Sequence, residues 1–120
     1  MVADGVRAES TVVVAISDVG AVLPGAFSAR EIAYASSKSD PERRLAARLA
    51  AKKAAVAALG GGLELRDVEV VRGRGGPPWI ELSERGRRRL AELGGDRVLV
   101  SITHGRAHAA AIVIVAGPPR

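Results

Sequence analysis

Three groups of residues in this 120-residue chain carry side chains able to do chemistry. Asp18 follows directly on a β-branched run, Thr11 to Ser17 (TVVVAIS). A carboxylate there is a hard oxygen donor of the kind a divalent cation takes. Lys52 and Lys53 stand side by side in an alanine-rich stretch, two ammonium groups within a helix of small residues. Ser101 and His104 (SITH) set a hydroxyl and an imidazole close to a turn between two apolar runs. Each group also has a structural explanation, because residues that serve a fold outnumber those that form sites. Asp18 would then end a strand, the lysines would form a solvated helix face, and Ser101 and His104 would be ordinary hairpin residues.

These residues need elements to position them, and the chain supplies a set. The run Thr11–Ser17 reads as a buried strand. Ser28 to Ser36 (SAREIAYAS) reads as a short helix, with Ser28 at its N-cap and Glu31 three residues on, a capping box. Pro41 to Leu59 (PERRLAARLAAKKAAVAAL) is the best helix, with Asp40 as its cap, Pro41 at the first position and Gly60 as its stop. Leu45, Leu49, Val56 and Leu59 outline an apolar face on it, while Arg44, Arg48 and Lys52 run along another line at four-residue spacing.

Leu65–Val71 and Trp79–Leu82 read as strands around a turn, Arg72–Pro78 (RGRGGPP). Ser83–Leu93 reads as a basic helix in which Gly86 is out of place. Arg97–Thr103 and His108–Ala116 form a hairpin around residues 104–107. The order β, α, α, β, β, α, β, β predicts an α+β fold, helices packed on an antiparallel sheet, in one domain spanning residues 1–120. Residues 1–10 read as a mobile lead-in and residues 117–120 as a flexible tail.

Composition narrows the function classes. Hydrophobic residues make up 48% and charged residues 26%, a globular balance that excludes disorder throughout. There is no Cys, so disulfides, thiolate metal sites and Cys nucleophiles are excluded. Two His residues are too few for a His-built metal site. The apolar runs fall short of the roughly 20 residues a membrane span requires, and the opening MVADGVRAES lacks the apolar core of a signal peptide. A cytoplasmic protein without membrane contact is expected.

Lys and Arg number 18 against 13 Asp and Glu, which favours an anionic partner. Nucleic acid is not the expected one, since one Trp, one Tyr and one Phe leave little to stack bases on. The cluster Arg85, Arg87, Arg88 and Arg89 would serve such a module but reads more simply as a solvated helix face. RGRGG (72–76), a single copy with no following Lys-Ser/Thr, reads as a hairpin loop rather than a phosphate cradle. Asp67 and Glu69, two apart on a strand, read as a solvated edge.

In order and spacing, the motifs resemble the holo-acyl-carrier-protein synthase type of 4′-phosphopantetheinyl transferase. The family's first motif, G-x-D-I-V-E-I, has its counterpart in AISDVGAV (15–22), and F-[ST]-x-x-E in FSARE (27–31). The central helix R-x-A-x-[KR]-x-A-x-K-E-A-x-x-K-A-[FL]-G runs without a gap beside RRLAARLAAKKAAVAALG (43–60). DVEVVRGRGGPPWIEL (67–82) loosely matches a strand, turn and strand, and VSITH (100–104) with AAAIVIV (109–115) matches the close.

The resemblance covers nearly the whole chain and implies a fold and an activity. That activity is transfer of the phosphopantetheine arm of coenzyme A to a serine of an apo acyl carrier protein. It also implies a homotrimer with sites between subunits. Mg²⁺ would be held by Asp18 and by the Glu of K-E-A; Asp18, Lys52 and Lys53 occupy the catalytic positions. Arg48, Lys52, Ser101 and His104 form the coenzyme-binding set.

The chain departs from that pattern at the second metal ligand, where Lys53 turns K-E-A into K-K-A. It also lacks the other acid of the first motif, and Val19–Phe27 carries none of the basic residues with which the family meets its acidic carrier. An active transferase in which the Lys53 ammonium partly substitutes for the metal is the leading reading. The alternative is a non-catalytic homologue serving as a binding or scaffold protein in a fatty-acid or polyketide carrier-protein system.

Overall fold

The computed structural model describes residues 5–22 and 25–119. Residues 1–4 of the expected lead-in, 23–24 of the stretch before the first helix, and 120 of the tail lie outside the described residues. The described chain runs β1 (Val6–Ala15), a 3-10 turn (Ile16–Val22), α1 (Ala29–Ser36), α2 (Pro41–Ala58), a 3-10 turn (Leu65–Asp67), β2 (Val68–Val71), β3 (Trp79–Leu82), α3 (Glu84–Glu92), β4 (Arg97–His104) and β5 (His108–Ala116). The architecture is the expected α+β: an antiparallel sheet in the order β1-β5-β4, a two-stranded antiparallel sheet β2-β3, and helices packed on them.

Both ends differ from expectation. Val6–Ser10, assigned to the lead-in, extends β1, because β5 is long enough to pair with it from Ala15↔His108 to Val6↔Ala116. At the other end, residues 117 and 118 are bonded to the start of β1: the Gly117 N–H donates to Gly5 O at 2.8 Å, and Arg7 Nη2 donates to Pro118 O at 2.7 Å. The Val-rich run is not buried on both faces either. Val14 is 6% exposed while Val13 is 63% exposed, so β1 alternates like a strand with one covered side. The strand ends at Ala15, which places Asp18 inside the 3-10 turn rather than at the strand's end.

The covered side of the sheet meets α2, whose ends match expectation to within a residue. Its core contact is made by alanines: Ala46, Ala50, Ala51, Ala54 and Ala55 are fully buried beside Leu49. Small side chains let the helix lie close on the strands, so an aromatic-poor chain still closes a dense core. The expected two-faced helix is therefore buried over most of its circumference, and Val56 is only half-buried. Asp40 does not cap α2 with its side chain; its carboxylate accepts from Arg44 Nε at 3.0 Å, with Arg43 at 3.7 Å. These guanidinium groups hold its pKa below the usual carboxylate range.

The sequence Leu65–Asp67, expected in a strand, turns instead. Asp67 Oδ2 accepts from the Glu64 N–H at 2.8 Å, and the Asp67 N–H donates to Glu64 O at 2.9 Å. Asp67 is buried, not on a solvated edge, and its Oδ1 accepts the Ser83 hydroxyl at 2.7 Å. Gly86 has its reason here: a Cβ on it would lie 3.0 Å from Leu82 Cβ and 3.4 Å from Asp67 O, so glycine lets α3 close on β3.

Candidate functional site

The site is built from α1, α2, the β2–β3 loop and the end of β4. Arg48, on α2, is 4% exposed. Its guanidinium carbon lies 4.0 Å from the Tyr34 ring centroid, and the Lys38 ammonium lies 5.1 Å from the same ring. Among the described residues Arg48 Nε and Nη2 have no hydrogen-bond partner, a requirement that an ordered water or a bound anion would meet. Burial pushes the Arg48 guanidinium below its ordinary range, an effect that Tyr34 and then the Glu31 charge oppose. Arginine nevertheless stays charged.

Arg48 opens on a cavity of about 240 Å³ that Arg44, Arg72, Thr103 and His104 also line. Arg44 and Arg72 continue into a neighbouring cavity walled by Tyr34, Lys38 and Arg74. Together they make a groove in which cationic side chains converge and, among the described residues, no carboxylate lines either wall. Such a groove attracts a phosphorylated ligand.

Lys52 lies one turn further along α2 in a different environment. It is 1% exposed, and its ammonium donates to Glu31 Oε1 at 2.6 Å. Glu31 is also 1% exposed. Its Oε1 accepts the Ser28 N–H at 2.8 Å and its Oε2 accepts the Val70 N–H at 2.9 Å. The expected capping box is present, with the Glu31 N–H donating to Ser28 Oγ at 3.2 Å. One carboxylate thus fastens α1, α2 and β2 together.

Of the residues singled out in the sequence, the structure brings Arg48 and His104 to one cavity. Lys52 is tied to Glu31 inside the fold. Ser101 is exposed on β4, directly across from Ile112 on the sheet face opposite α2. Asp18 and Lys53 are both exposed, the first in its turn and the second on α2. Sequence reasoning missed Tyr34, Lys38 and Arg72, and it read Glu31 as a cap and as part of the FSARE motif but not as the partner of Lys52. The spacing of Arg44, Arg48 and Lys52 carried part of the signal. Arg72 and Arg74 do sit in a hairpin loop, as expected, and that loop forms a wall of the groove. Its Gly73 packs on β3, where an added Cβ would sit 3.4 Å from the Trp79 ring; Trp79 Nε1 donates to Glu81 Oε2 at 3.0 Å.

Arg85, Arg87 and Arg88 of α3 are exposed, as a solvated face would have them, and Arg89 is half-buried, yet three of the four also reach backbone carbonyls. Arg89 Nη1 donates to Leu59 O at 2.9 Å and Gly61 O at 2.6 Å, Arg85 Nη2 to Gly62 O at 3.1 Å, and Arg87 Nη1 to Leu82 O at 2.8 Å. Arg89 and Arg85 cap the carbonyl end of α2 and its following turn, while Arg87 reaches the end of β3. Glu69 is held from outside by Arg30, which reaches its Oε1 at 3.1 Å and Glu81 Oε1 at 3.3 Å.

A divalent cation does not fit the donors present. Among the described residues no three acidic or histidine side chains come together as a metal site. Lys53, at the position assigned to the second ligand, presents an ammonium, which supplies no lone pair and repels a cation. Among the described residues, no helix is long and apolar enough to cross a membrane.

No protein-family model matches the chain. It is 40% identical over 97 residues to a holo-acyl-carrier-protein synthase of Moorella thermoacetica, an alignment covering 78% of this chain and 76% of that one. To the protein of the same description from Treponema denticola it is 41% identical over 95 residues, 76% of this chain and 77% of the relative. Among solved structures, the acyl carrier protein synthase of Mycobacterium tuberculosis superposes with a TM-score of 0.79 at 32% identity, covering 95% of this chain and 100% of that one.

Proposed function

Because the chain belongs to the holo-acyl-carrier-protein synthase family, we propose that it transfers the 4′-phosphopantetheine arm of coenzyme A to a serine hydroxyl of an apo acyl carrier protein. The serine oxygen attacks the phosphorus nearer the pantetheine. The bond from that phosphorus to the bridging oxygen breaks, 3′,5′-ADP leaves, and the serine proton passes to solvent. Such a step gathers negative charge on the departing phosphate, so fixed positive charge lowers its barrier.

The observation that carries this reading is the buried Arg48, two of whose nitrogens have no partner among the described residues and which lines a cavity together with Arg44, Arg72 and His104. In this reading the guanidinium receives a phosphate of the coenzyme bidentately, and Arg44, Arg72 and His104 complete its surroundings. Lys52 acts from behind: its charge is matched by Glu31, and the pair holds α1 and Tyr34 against Arg48.

A homotrimer belongs to the same proposal. The sheet face away from α2 leaves Val13 63%, Leu99 50% and Ile112 47% exposed, a stripe of large apolar side chains that invites cover. Ser101 lies in that stripe, opposite Ile112, so it would reach a coenzyme held by a neighbouring copy. The aqueous interior of the cell, where coenzyme A and carrier protein meet, is the proposed location.

The test is mass spectrometry of a panel of apo acyl carrier proteins incubated with coenzyme A and this protein. Gain of one phosphopantetheine arm is expected, and Arg48→Ala should raise the coenzyme KM at least about tenfold, the loss of one charged contact. If no carrier protein is modified while coenzyme A still binds, the transferase reading falls and the scaffold alternative stands.

A further inference from the structure

We infer that this protein handles the phosphates of coenzyme A without a divalent cation, the Lys53 ammonium supplying the positive charge in its place. The inference rests on the transferase reading above. It starts from the disagreement between the metal that the family implies and the donors the chain provides.

Asp18 sits in a 3-10 turn that packs on α2. Its neighbour Val19 is 3% exposed and shares a core cluster with Ala46, Ala47, Ala50 and Ala51 of that helix. Asp18 itself is exposed, as is Lys53. Neither has a salt bridge or side-chain hydrogen bond among the described residues. Carboxylates that might replace the missing ligand are engaged elsewhere. Glu31 is buried and takes the Lys52 ammonium and two backbone N–H groups. Asp40 is held by Arg43 and Arg44. A cation at Asp18 would find no cluster of three acidic or histidine side chains among the described residues, and position 53, where the family places its second ligand, offers an ammonium instead of a carboxylate, a poor site for an ion that seeks several oxygens.

The charge count explains how the substitution can be tolerated. Two carboxylates and one divalent cation sum to zero; Asp18 and Lys53 also sum to zero. Replacing Glu by Lys therefore leaves the site's net charge unchanged only when no metal is bound. An ammonium is a compact charge with three N–H donors on a flexible stem, and it can meet phosphate oxygens directly. Lys53 has the freedom to do so because, unlike Lys52, it has no salt bridge or hydrogen bond from its side chain among the described residues.

The experiment is calorimetric titration of the full chain with coenzyme A, once in Mg²⁺ and once in chelator, for the wild type, Lys53→Ala and Lys53→Glu. Wild-type Kd values within about twofold of each other in the two buffers are expected. Lys53→Ala should weaken binding about tenfold or more in chelator. Lys53→Glu should make binding depend on Mg²⁺, and titration of that variant with Mn²⁺ alone should show metal uptake that the wild type lacks. Position 53 is exposed, so circular dichroism should find all three folded alike. Wild-type binding that weakens tenfold in chelator overturns the inference and leaves the transferase reading intact. So does a Lys53→Ala variant that binds as well as wild type in chelator. Absence of wild-type binding in both buffers removes the transferase reading and the inference with it.

Discussion

At the scale of single residues, Lys52 and Lys53 show how far adjacent positions can diverge. A helix rotates about 100° per residue, and that rotation carries Lys52 inward to Glu31 and leaves Lys53 outside. A buried ion pair contributes little net stability, but losing one partner strands the other charge. Glu31→Gln should therefore cost about 3–5 kcal/mol, measured by urea unfolding. Pairing it with Lys52→Met, which removes the second charge, should recover most of the loss. A Glu31→Gln variant as stable as wild type would show that the carboxylate is dispensable. Little of this was legible in the sequence. The capping box S-A-R-E announced itself locally, but the partner of Lys52 stands 21 residues away. Glu31 had an explanation as a cap, and the motif F-[ST]-x-x-E that it closes says nothing of a lysine partner. Arg48 was easier to find, being on a basic line with Arg44, yet its burial under Tyr34 was not.

At the scale of elements, the junction between the turn at Leu65–Asp67 and α3 is set by polar groups. Ser83 Oγ donates to Asp67 and accepts the Gly86 N–H at 3.1 Å, while the Ser83 N–H donates to Asp67 O at 2.9 Å. The Ser83 hydroxyl, then the Glu64 N–H, hold the Asp67 carboxyl below the usual range. A carboxyl lowered in the folded state adds stability that is complete above its unfolded value, about 3.9, and is lost as pH falls through the folded one. Ser83→Ala should cost about 1 kcal/mol at neutral pH through the lost cap. The gap from wild type should narrow below about pH 4, because the wild type loses the share that the Ser83 hydroxyl adds while the variant, still held by the Glu64 N–H, has less to lose. Parallel pH–stability curves for the two proteins would refute this. The bounds of α2, α3 and the β4–β5 hairpin were legible because caps, prolines and glycines mark them locally. The start of β1 was not: residues 6–10 (VRAES) are too polar to read as a strand and become one through pairing with β5. Nor could TVVVA reveal its alternation, since Val points both ways in it.

At the scale of the whole molecule, positive charge and exposed apolar surface lie apart. The groove of Arg44, Arg48, Arg72 and His104 is on the α2 side, and Val13, Leu99 and Ile112 are on the other face of the sheet. The three proposed assembly residues come from three strands aligned by the register Thr11↔Ile112 and Leu99↔Ile114. Leu99→Glu would place a charge within that stripe and should convert a trimer to monomers in sedimentation equilibrium. Since Leu99 is half-exposed, the fold itself should persist. A wild type that sediments as a monomer at every concentration would end the trimer proposal. The α+β architecture was legible because the order of elements admits few arrangements. The groove was not, because its walls come from segments that meet only on folding.

The chain's single indole, on β3 against Gly73 of the groove-lining loop, has an optical consequence. Excitation at the red edge of the protein absorption band addresses Trp79 alone, without competing emitters to subtract. Its ring is 43% exposed and its N–H is bonded to a carboxylate, so its emission is sensitive to charge arriving beside that loop. An anion settling near Arg72 and Arg74 would thus report itself in the fluorescence of the unlabelled protein. Being half in water already, the same chromophore would be a poor witness to denaturation.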